Sequence, residues 1–425
     1  MEHDLVVEGK VVLRESVVEA QVGVDGGLIA EVKKQGVKGS NMIRAGGCVV
    51  FPGFIDSHVH LREPGWEYKE DFRTGTKAAA HGGVTTVLDM PNNPVPTTSM
   101  AALVEKKRLA SINAVVDVRF FAGVVAENIG EIQSLREAAV GFKAYMGKST
   151  GDLLLSYKEL KRALERVADT GKPISLHCEE QSIIDERASA LAGSKAPDTY
   201  CDMRPPEAEI ESVKAVLSIL ARTKGARANI CHVSTGGALR LVDMSVKSGN
   251  DAQCEVALHH LFFSRKAMLA NPLLRTNPPL RAEDDRRALI AGLGDGRISS
   301  LVTDHAPHTS TEKRSQGLAG VPGLDDYGHV VAWLLKSVGV SPLVISKVCS
   351  SNPAAYYGFG DRGEISVGRR ADLTILDLSS SEKVSVDKLM TKCGWSPYEG
   401  WEFPGKVRWT VRSGEVLLED YELVV

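Results

Sequence analysis

The chain has 425 residues, of which 43% are hydrophobic and 25% charged, with 51 basic and 54 acidic side chains. This composition is typical of a globular protein with a large core, and the lack of a basic block or stripe argues against nucleic acid as a partner. No apolar run is long enough to span a membrane, and seven scattered cysteines without a CxxC pair predict a reducing, cytoplasmic setting.

The two ends of the chain differ from its middle. Segments 1–51 and 361–425 have the pattern of short strands joined by turns, so we expect them to form one small β-sandwich domain. Residues 52–360 instead alternate between strand and helix patterns, which predicts parallel strands with helical crossovers. Eight such units predict an α/β fold, a (β/α)8 TIM barrel.

Eight apolar, β-branched runs mark the predicted barrel strands: 53–60, 83–90, 115–123, 140–146, 173–179, 228–234, 252–258 and 299–305. Helix signals lie between them. Ser156 and Glu159 have the spacing of a capping box, and the pair Pro205–Pro206 is typical of a helix start.

Ionisable side chains collect where these runs end, which is where TIM barrels place their active sites. His58 and His60 end the first run and lie two residues apart, so both point to the same face of a strand. The fifth and sixth runs contain His177 and His232 at or near their ends, and the eighth contains Asp304. Together these residues predict a metal site in the mouth of the barrel.

Lys143 lies in the middle of VGFKAYM (140–146), which has the pattern of a buried strand. A buried ammonium is costly unless it is paired or loses its charge. A neutral amine can add carbon dioxide to form a carbamate, an anion whose two oxygens suit a bridge between two divalent metals. The alternative is a lysine with a buried stem and a solvated ammonium group; the neighbouring histidines favour the metal bridge.

Seven stretches resemble cyclic amidohydrolases of the amidohydrolase superfamily, and among these the dihydroorotases: FPGFIDSHVHLREPG, TTVLDMPNN, GFKAYM, LHCE, ICHVST, NPPLR and VTDHAPH. The tail GEISVGRRADLTILD is similar to the C-terminal β segment of the same family. HVHLREPG and TDHAPH are specific motifs, and the resemblance extends over essentially the whole barrel.

The resemblance implies a role for each matching residue. The metal ligands would be His58, His60, Lys143, His177, His232 and Asp304, with a carboxylated Lys143 bridging two metals. Arg62, Asn92 and His308 would hold the free carboxylate of the substrate, and Asn277 would contact its ring. The family usually carries two zinc ions, although nitrogen and carboxylate ligands also suit manganese or cobalt.

The resemblance also implies an activity, the reversible cyclisation of N-carbamoyl-L-aspartate to L-dihydroorotate and water in pyrimidine biosynthesis. Two metals would lower the pKa of a bridging water, and the resulting hydroxide would attack the ring amide. Asp304 would move the proton as general base and then general acid. Dimers are common among such enzymes, so a homodimer is expected.

Two alternatives remain open. Allantoinases, hydantoinases and dihydropyrimidinases share the metal core; Arg62 and the TDHAPH run favour the dihydroorotases over them. A non-catalytic amidohydrolase-like scaffold is the second alternative, and the presence of every expected ligand counts against it.

Some residues near these motifs are open at this stage. Glu179 and Glu180 either orient the metal ligands or lie in a solvated loop. We expect His81 to be structural and leave His305 unassigned. The polar, glycine-containing segment 309–323 follows Asp304 closely, and we expect it to border the substrate.

Overall fold

The computed structural model describes residues 2–151, 153–194, 196 and 198–425. The strands are, in chain order, β1 (Glu2–Val12), β2 (Val17–Asp25), β3 (Leu28–Lys33), β4 (Lys38–Pro52), β5 (Phe54–Val59), β6 (Val84–Asp89), β7 (Asp117–Gly123), β8 (Gly141–Tyr145), β9 (Ile174–His177), β10 (Ala228–Ile230), β11 (Ala252–Ala257), β12 (Ser300–Val302), β13 (Leu373–Asp377), β14 (Glu382–Lys383), β15 (Glu402–Phe403), β16 (Lys406–Arg412), β17 (Glu415–Glu419) and β18 (Glu422–Leu423).

The α-helices are α1 (Phe72–His81), α2 (Met100–Asn113), α3 (Ile132–Leu135), α4 (Tyr157–Ala168), α5 (Gln181–Ala190), α6 (Thr199–Met203), α7 (Pro206–Leu220), α8 (Gly236–Lys247), α9 (Leu258–Phe262), α10 (Arg265–Ala270), α11 (Glu283–Gly294), α12 (Ser310–Gln316), α13 (Tyr327–Trp333), α14 (Pro342–Ser346) and α15 (Asn352–Tyr356). Two predicted starts are confirmed: Ser156 and Glu159 form a capping box on α4, and Pro205 precedes α7 with Pro206 as its first residue.

The strands β5 to β12 form the predicted barrel. Each pairs in parallel with the next along the chain, and all eight predicted runs contain one of them. The barrel closes between its first and last strands, where Val59 bridges His305 and the backbone N–H of His60 donates to the His305 carbonyl at 2.7 Å. Helices pack around the barrel and bury apolar side chains against it, among them Leu160 on α4 and Val213 on α7.

The two ends of the chain lie together in a second sheet, in the order β18-β17-β16-β13-β4-β1-β2-β3. This single hydrogen-bonded sheet corresponds to the small β-sandwich domain that the sequence predicts. The sheet has a core of its own that includes Val22, Val50, Ile375 and Trp409. We propose two domains, one formed by residues 1–51 together with 361–425 and the other by residues 52–360. Strand β4 extends one residue past the boundary at residue 51. Among the described residues, we find no helix with the length and apolar character needed to cross a bilayer.

Candidate active site

The carboxyl ends of the barrel strands bring the predicted metal ligands together. His58 lies on β5 and His60 directly follows it, Lys143 lies within β8, and His177 is the last residue of β9. His232 follows β10 and Asp304 follows β12. All are at most 7% exposed: His58, His60, Lys143, His177, His232 and Asp304.

His58 and His60 point the same ring nitrogen at Asp304. Their Nε2 atoms lie 3.6 Å and 3.2 Å from Asp304 Oδ1. The Nδ1 atom of His58 contacts the Glu255 carboxylate, and that of His60 lies 2.6 Å from Asn92 Oδ1. Because these partners accept hydrogen bonds, each Nδ1 carries the proton and each Nε2 lone pair faces Asp304. Two lone pairs and a carboxylate converging on one point form a donor set for a divalent cation.

His177 and His232 form a second pair of converging nitrogens, with His177 Nδ1 3.1 Å from His232 Nε2. His177 Nε2 lies 3.0 Å from Glu179 Oε2. Burial would raise the pKa of Glu179, but Arg204 and His177 lower it to about 2, so Glu179 is an ionised acceptor. His177 Nε2 therefore carries the proton, and its Nδ1 lone pair is directed at His232.

Lys143 is fully buried between these two groups. Its Nζ lies 2.8 Å from Cys231 Sγ, and among the described residues no carboxylate forms an ion pair with it. Burial lowers the pKa of His58, His60, His177 and His232, and the Lys143 charge adds to this effect at all four. The imidazoles are therefore neutral at pH 7, as metal ligands must be.

Asp304 combines an altered acidity with a rare backbone conformation. Burial raises its pKa to about 7, although Lys143 and His177 act in the opposite direction. Its φ is +47°, and two other residues of the site, Arg62 and His232, have φ of +63° and +33°. Left-handed backbone at non-glycine residues costs on the order of 1–3 kcal/mol and is concentrated at functional sites.

A cavity of about 30 Å³ lies between these ligands and a polar wall. This is room for at least one water molecule. The polar wall includes Arg62, Asn92 and Asn277, and the rest of the lining includes Tyr145, Ser149, Thr150, Ala319 and Gly320. Two residues of segment 309–323 thus line the cavity. A larger cavity of about 880 Å³ lies at the amino ends of β7 to β9 and shares no residue with this site.

Arg62 is a buried cation on the cavity wall, only 3% exposed. Its Nε donates to the Pro307 carbonyl at 3.1 Å, and Nη2 lies 3.3 Å from His308 Nε2. Burial lowers the pKa of Arg62 to about 10, so it remains charged at neutral pH. Among the described residues no carboxylate forms an ion pair with it. A buried, unpaired guanidinium beside a cavity is suited to binding a carboxylate from outside the chain.

The other predicted substrate residues differ in their placement. Asn92 and Asn277 line the cavity, whereas His308 does not and instead lies between Arg62 and Lys69, with its Nδ1 3.1 Å from Lys69 Nζ. Burial and these two cations lower the pKa of His308, so it is neutral. Asn92 also donates from Nδ2 to the Thr150 carbonyl at 3.1 Å.

Three residues of the site were missed from the sequence. Glu255 on β11, buried and also bonded by Asn229 Nδ2 at 2.8 Å, fixes the orientation of His58. Lys69 supports His308, and Tyr145 lines the cavity. The sequence feature that could have indicated Glu255 is its position as an acidic residue inside the apolar run AQCEVAL. No sequence pattern indicated Lys69 or Tyr145.

The structure shows what the residues left open in the sequence analysis contact. Glu179 is fully buried and orients His177, whereas Glu180 caps α5 and accepts from the Tyr157 hydroxyl at 2.7 Å. His305 Nε2 lies 3.2 Å from Glu70, and the backbone N–H of Gly323 donates to its Nδ1 at 3.1 Å. His81 lies 3.1 Å from Asp325, away from the cavity. Both histidines thus have structural contacts.

Comparison with known proteins identifies the family. The model of the Amidohydrolase family matches residues 49–417. The chain belongs to the amidohydrolase family. Proteins named dihydroorotase from Pyrococcus furiosus and Methanothermobacter thermautotrophicus are 34% and 35% identical to this amidohydrolase, over 99% and 95% of its length and 94% and 92% of theirs.

Solved structures show the same architecture. The L-hydantoinase (dihydropyrimidinase) from Arthrobacter aurescens matches this amidohydrolase with a TM-score of 0.95 at 29% identity, covering 100% of this chain and 98% of the other. A D-hydantoinase matches with a TM-score of 0.92 at 23% identity, covering 99% and 96%, which shows the fold alone. The family is metal-dependent, and the converging nitrogen lone pairs beside Asp304 fit a metal.

Proposed function

We propose that this amidohydrolase is a dihydroorotase, which interconverts L-dihydroorotate and N-carbamoyl-L-aspartate in pyrimidine biosynthesis. The observation that carries the proposal is Arg62, a buried guanidinium that has no carboxylate partner among the described residues and faces the converging histidines across a small cavity. Dihydroorotate has a cyclic amide to be opened and one free carboxylate to pair with Arg62. The full-length relatives named dihydroorotase support the same assignment.

The proposed cofactors are two divalent ions, zinc first. His58, His60 and Asp304 would hold one ion, and the pair His177 and His232 the other. Lys143, carboxylated, would bridge them, since an unmodified ammonium has no carboxylate partner among the described residues. When bound, the metals supply activation of a water molecule and polarisation of the amide carbonyl. The carbamate is testable by 13C NMR: labelled bicarbonate is expected to give a carbamate signal in the wild type that is absent in Lys143→Gln.

The side chains of the site account for substrate orientation and proton movement. Arg62 would pair bidentately with the carboxylate, with Asn92 and Asn277 on the same wall. Asp304, whose carboxylate lies 3.6 Å and 3.2 Å from the Nε2 atoms of His58 and His60, would take the proton of the attacking water and return it to the leaving nitrogen. The cavity lies between these side chains and the proposed metal ligands, and a substrate that fills it would exclude water from the reacting groups.

A second candidate is hydrolysis of a ring without a carboxylate, such as a hydantoin or dihydropyrimidine. The TM-score of 0.95 to an L-hydantoinase favours it. Against it, a neutral ring would leave the buried Arg62 unpaired, and such a mismatch lowers kcat/KM by about 10⁴ where a site is built for a polar group.

The test compares ring opening of dihydroorotate, allantoin and dihydrouracil by zinc-loaded protein. Dihydroorotate is expected to be the substrate, and Arg62→Ala is expected to abolish its turnover. Arg162→Ala on the exposed side of α4 is the matched control, expected to have no effect. Turnover of a carboxylate-free ring instead, with Arg62→Ala unchanged, would refute the proposal.

The setting and assembly of the enzyme are also proposals. All seven cysteines are free and six are buried, which supports a reducing, cytoplasmic environment. A homodimer remains the expected assembly, and light scattering of the purified protein would test it.

A further inference from the structure

Tyr145 carries a buried hydroxyl beside the cavity. Its side chain is 4% exposed and lines the cavity, yet its phenol oxygen has no hydrogen-bond partner among the described residues. Leaving a buried hydroxyl without a hydrogen-bond partner is destabilising. Phenylalanine would fill the same space without that cost, so packing alone does not account for the hydroxyl.

The position of Tyr145 indicates which part of a substrate it would meet. It follows Lys143 by two residues on β8, so both side chains point to the same face of the strand. Its ring centroid lies 5.0 Å from Lys143 Nζ and 5.9 Å from the His177 ring. Tyr145 therefore stands beside the metal-ligand end of the cavity, where the scissile amide would lie.

We propose that Tyr145 is a further catalytic residue, whose O–H donates a hydrogen bond to the carbonyl oxygen of the scissile amide as that oxygen gains negative charge. The proposal rests on the proposed function, because it takes its substrate from there. As the attacking oxygen bonds to the carbonyl carbon, the π electron pair moves onto the carbonyl oxygen. Tyr145 keeps its proton throughout, and Asp304 remains the group that transfers one.

The packing of Tyr145 suits this role. The ring is held on β8 among buried neighbours, and its hydroxyl is already desolvated before a substrate arrives. A donor of this kind needs no reorganisation when charge develops on the substrate, and it acts in surroundings where hydrogen bonds are strong. Its contribution should therefore be larger in the transition state than in the bound ground state, which predicts an effect on kcat.

The chain provides a matched control in Tyr356. This residue is also buried, 8% exposed, with a hydroxyl that has no partner among the described residues. It lies outside the cavity, where its ring centroid is 4.7 Å from the Arg227 guanidinium carbon. Tyr145→Phe and Tyr356→Phe thus remove the same chemical group from two comparable environments, one at the site and one away from it.

The experiment measures kcat and KM for dihydroorotate, zinc content and Tm for the zinc-loaded wild type and both variants. Tyr145→Phe is expected to lower kcat on the order of 10²-fold with KM changed by less than about threefold, at full zinc content. Tyr356→Phe is expected to match the wild type in kcat and KM. Neither variant is expected to lower Tm, since each removes an unpaired buried group.

Three results would overturn the proposal. The first is a Tyr145→Phe enzyme with kcat within about twofold of the wild type. The second is a rise in KM alone, which would make the hydroxyl a ground-state contact. The third is a loss of activity that follows a loss of zinc. A wild type that opens another ring but not dihydroorotate would refute the proposed function instead, and the same variants would then test Tyr145 on that ring.

Discussion

Glu255 offers a test of how the barrel orients the proposed metal ligands. Its carboxylate accepts from His58 Nδ1 on one oxygen and from Asn229 Nδ2, at 2.8 Å, on the other. We expect Glu255→Ala to free the His58 ring, because Nδ1 loses its acceptor and Nε2 no longer has to present its lone pair to the metal. The ion proposed to bind at His58, His60 and Asp304 should then bind less tightly.

The magnitude follows from the contact that is removed. Burial raises the pKa of Glu255 to about 7, so its hydrogen bond with His58 contributes about 1–3 kcal/mol, with the upper end of the range when the carboxylate is charged. Each 1.4 kcal/mol is a factor of ten in an equilibrium constant. The Kd of that ion should therefore rise on the order of 10- to 100-fold, the range seen when such supporting groups are removed. The ion at His177 and His232 should be nearly unaffected, because Glu179 still orients His177.

The assay is zinc competition with a chelator of known affinity at neutral pH. Two zinc-binding steps are expected, and Glu255→Ala should weaken only one of them relative to the wild type. Asp325→Ala is the control, since it removes a buried carboxylate that contacts His81 at 3.1 Å outside the site; it should lower Tm and leave zinc affinity unchanged. Equal zinc affinity in the wild type and Glu255→Ala, or equal weakening by Asp325→Ala, would refute the reasoning.

Two further predictions concern stability. Lys106 Nζ lies 2.5 Å from Asp89 Oδ2, and both groups are buried. Because Asp89 would lose its partner, Lys106→Met should lower the free energy of unfolding by about 3–5 kcal/mol. A loss below about 1 kcal/mol in urea unfolding would contradict this prediction. Burial would lower the pKa of His329, but Asp326 and Glu382 raise it from 6.5 to about 9. Because the folded pKa is the higher one, this stabilisation, about 3 kcal/mol, is complete below about pH 6.5 and lost as pH rises through about 9. His329→Gln should therefore destabilise the protein at about pH 6 far more than at about pH 10; an equal loss at both would contradict the assignment.

The barrel was predictable because its strands are short apolar runs bounded by helices. The predicted runs extend beyond several strands, and the excess has a physical cause. The run 228–234 contains a strand that ends at Ile230, and the run 299–305 contains one that ends at Val302. His232 and Asp304 then adopt φ of +33° and +47°, so they leave the strand conformation. Such a turn at a functional residue is invisible to a period-two pattern.

The supporting groups of the site were less predictable than the ligands. Glu255 meets His58 across 197 residues, a contact that depends on the closed barrel and leaves no local signal. His308 carries the expected motif but contacts Arg62 and Lys69 rather than the cavity. Tyr145 lies in an apolar run, where an aromatic residue is ordinarily read as core.

The most direct test of the account is ring closure of two linear substrates by the zinc-loaded enzyme. N-carbamoyl-L-aspartate and N-carbamoyl-β-alanine differ only in the carboxylate that Arg62 is proposed to bind. The account predicts closure of the first and a kcat/KM lower by about 10⁴ for the second, since the buried guanidinium would be left unpaired. Comparable kcat/KM values for the two compounds would show that Arg62 does not select the substrate and would contradict the account.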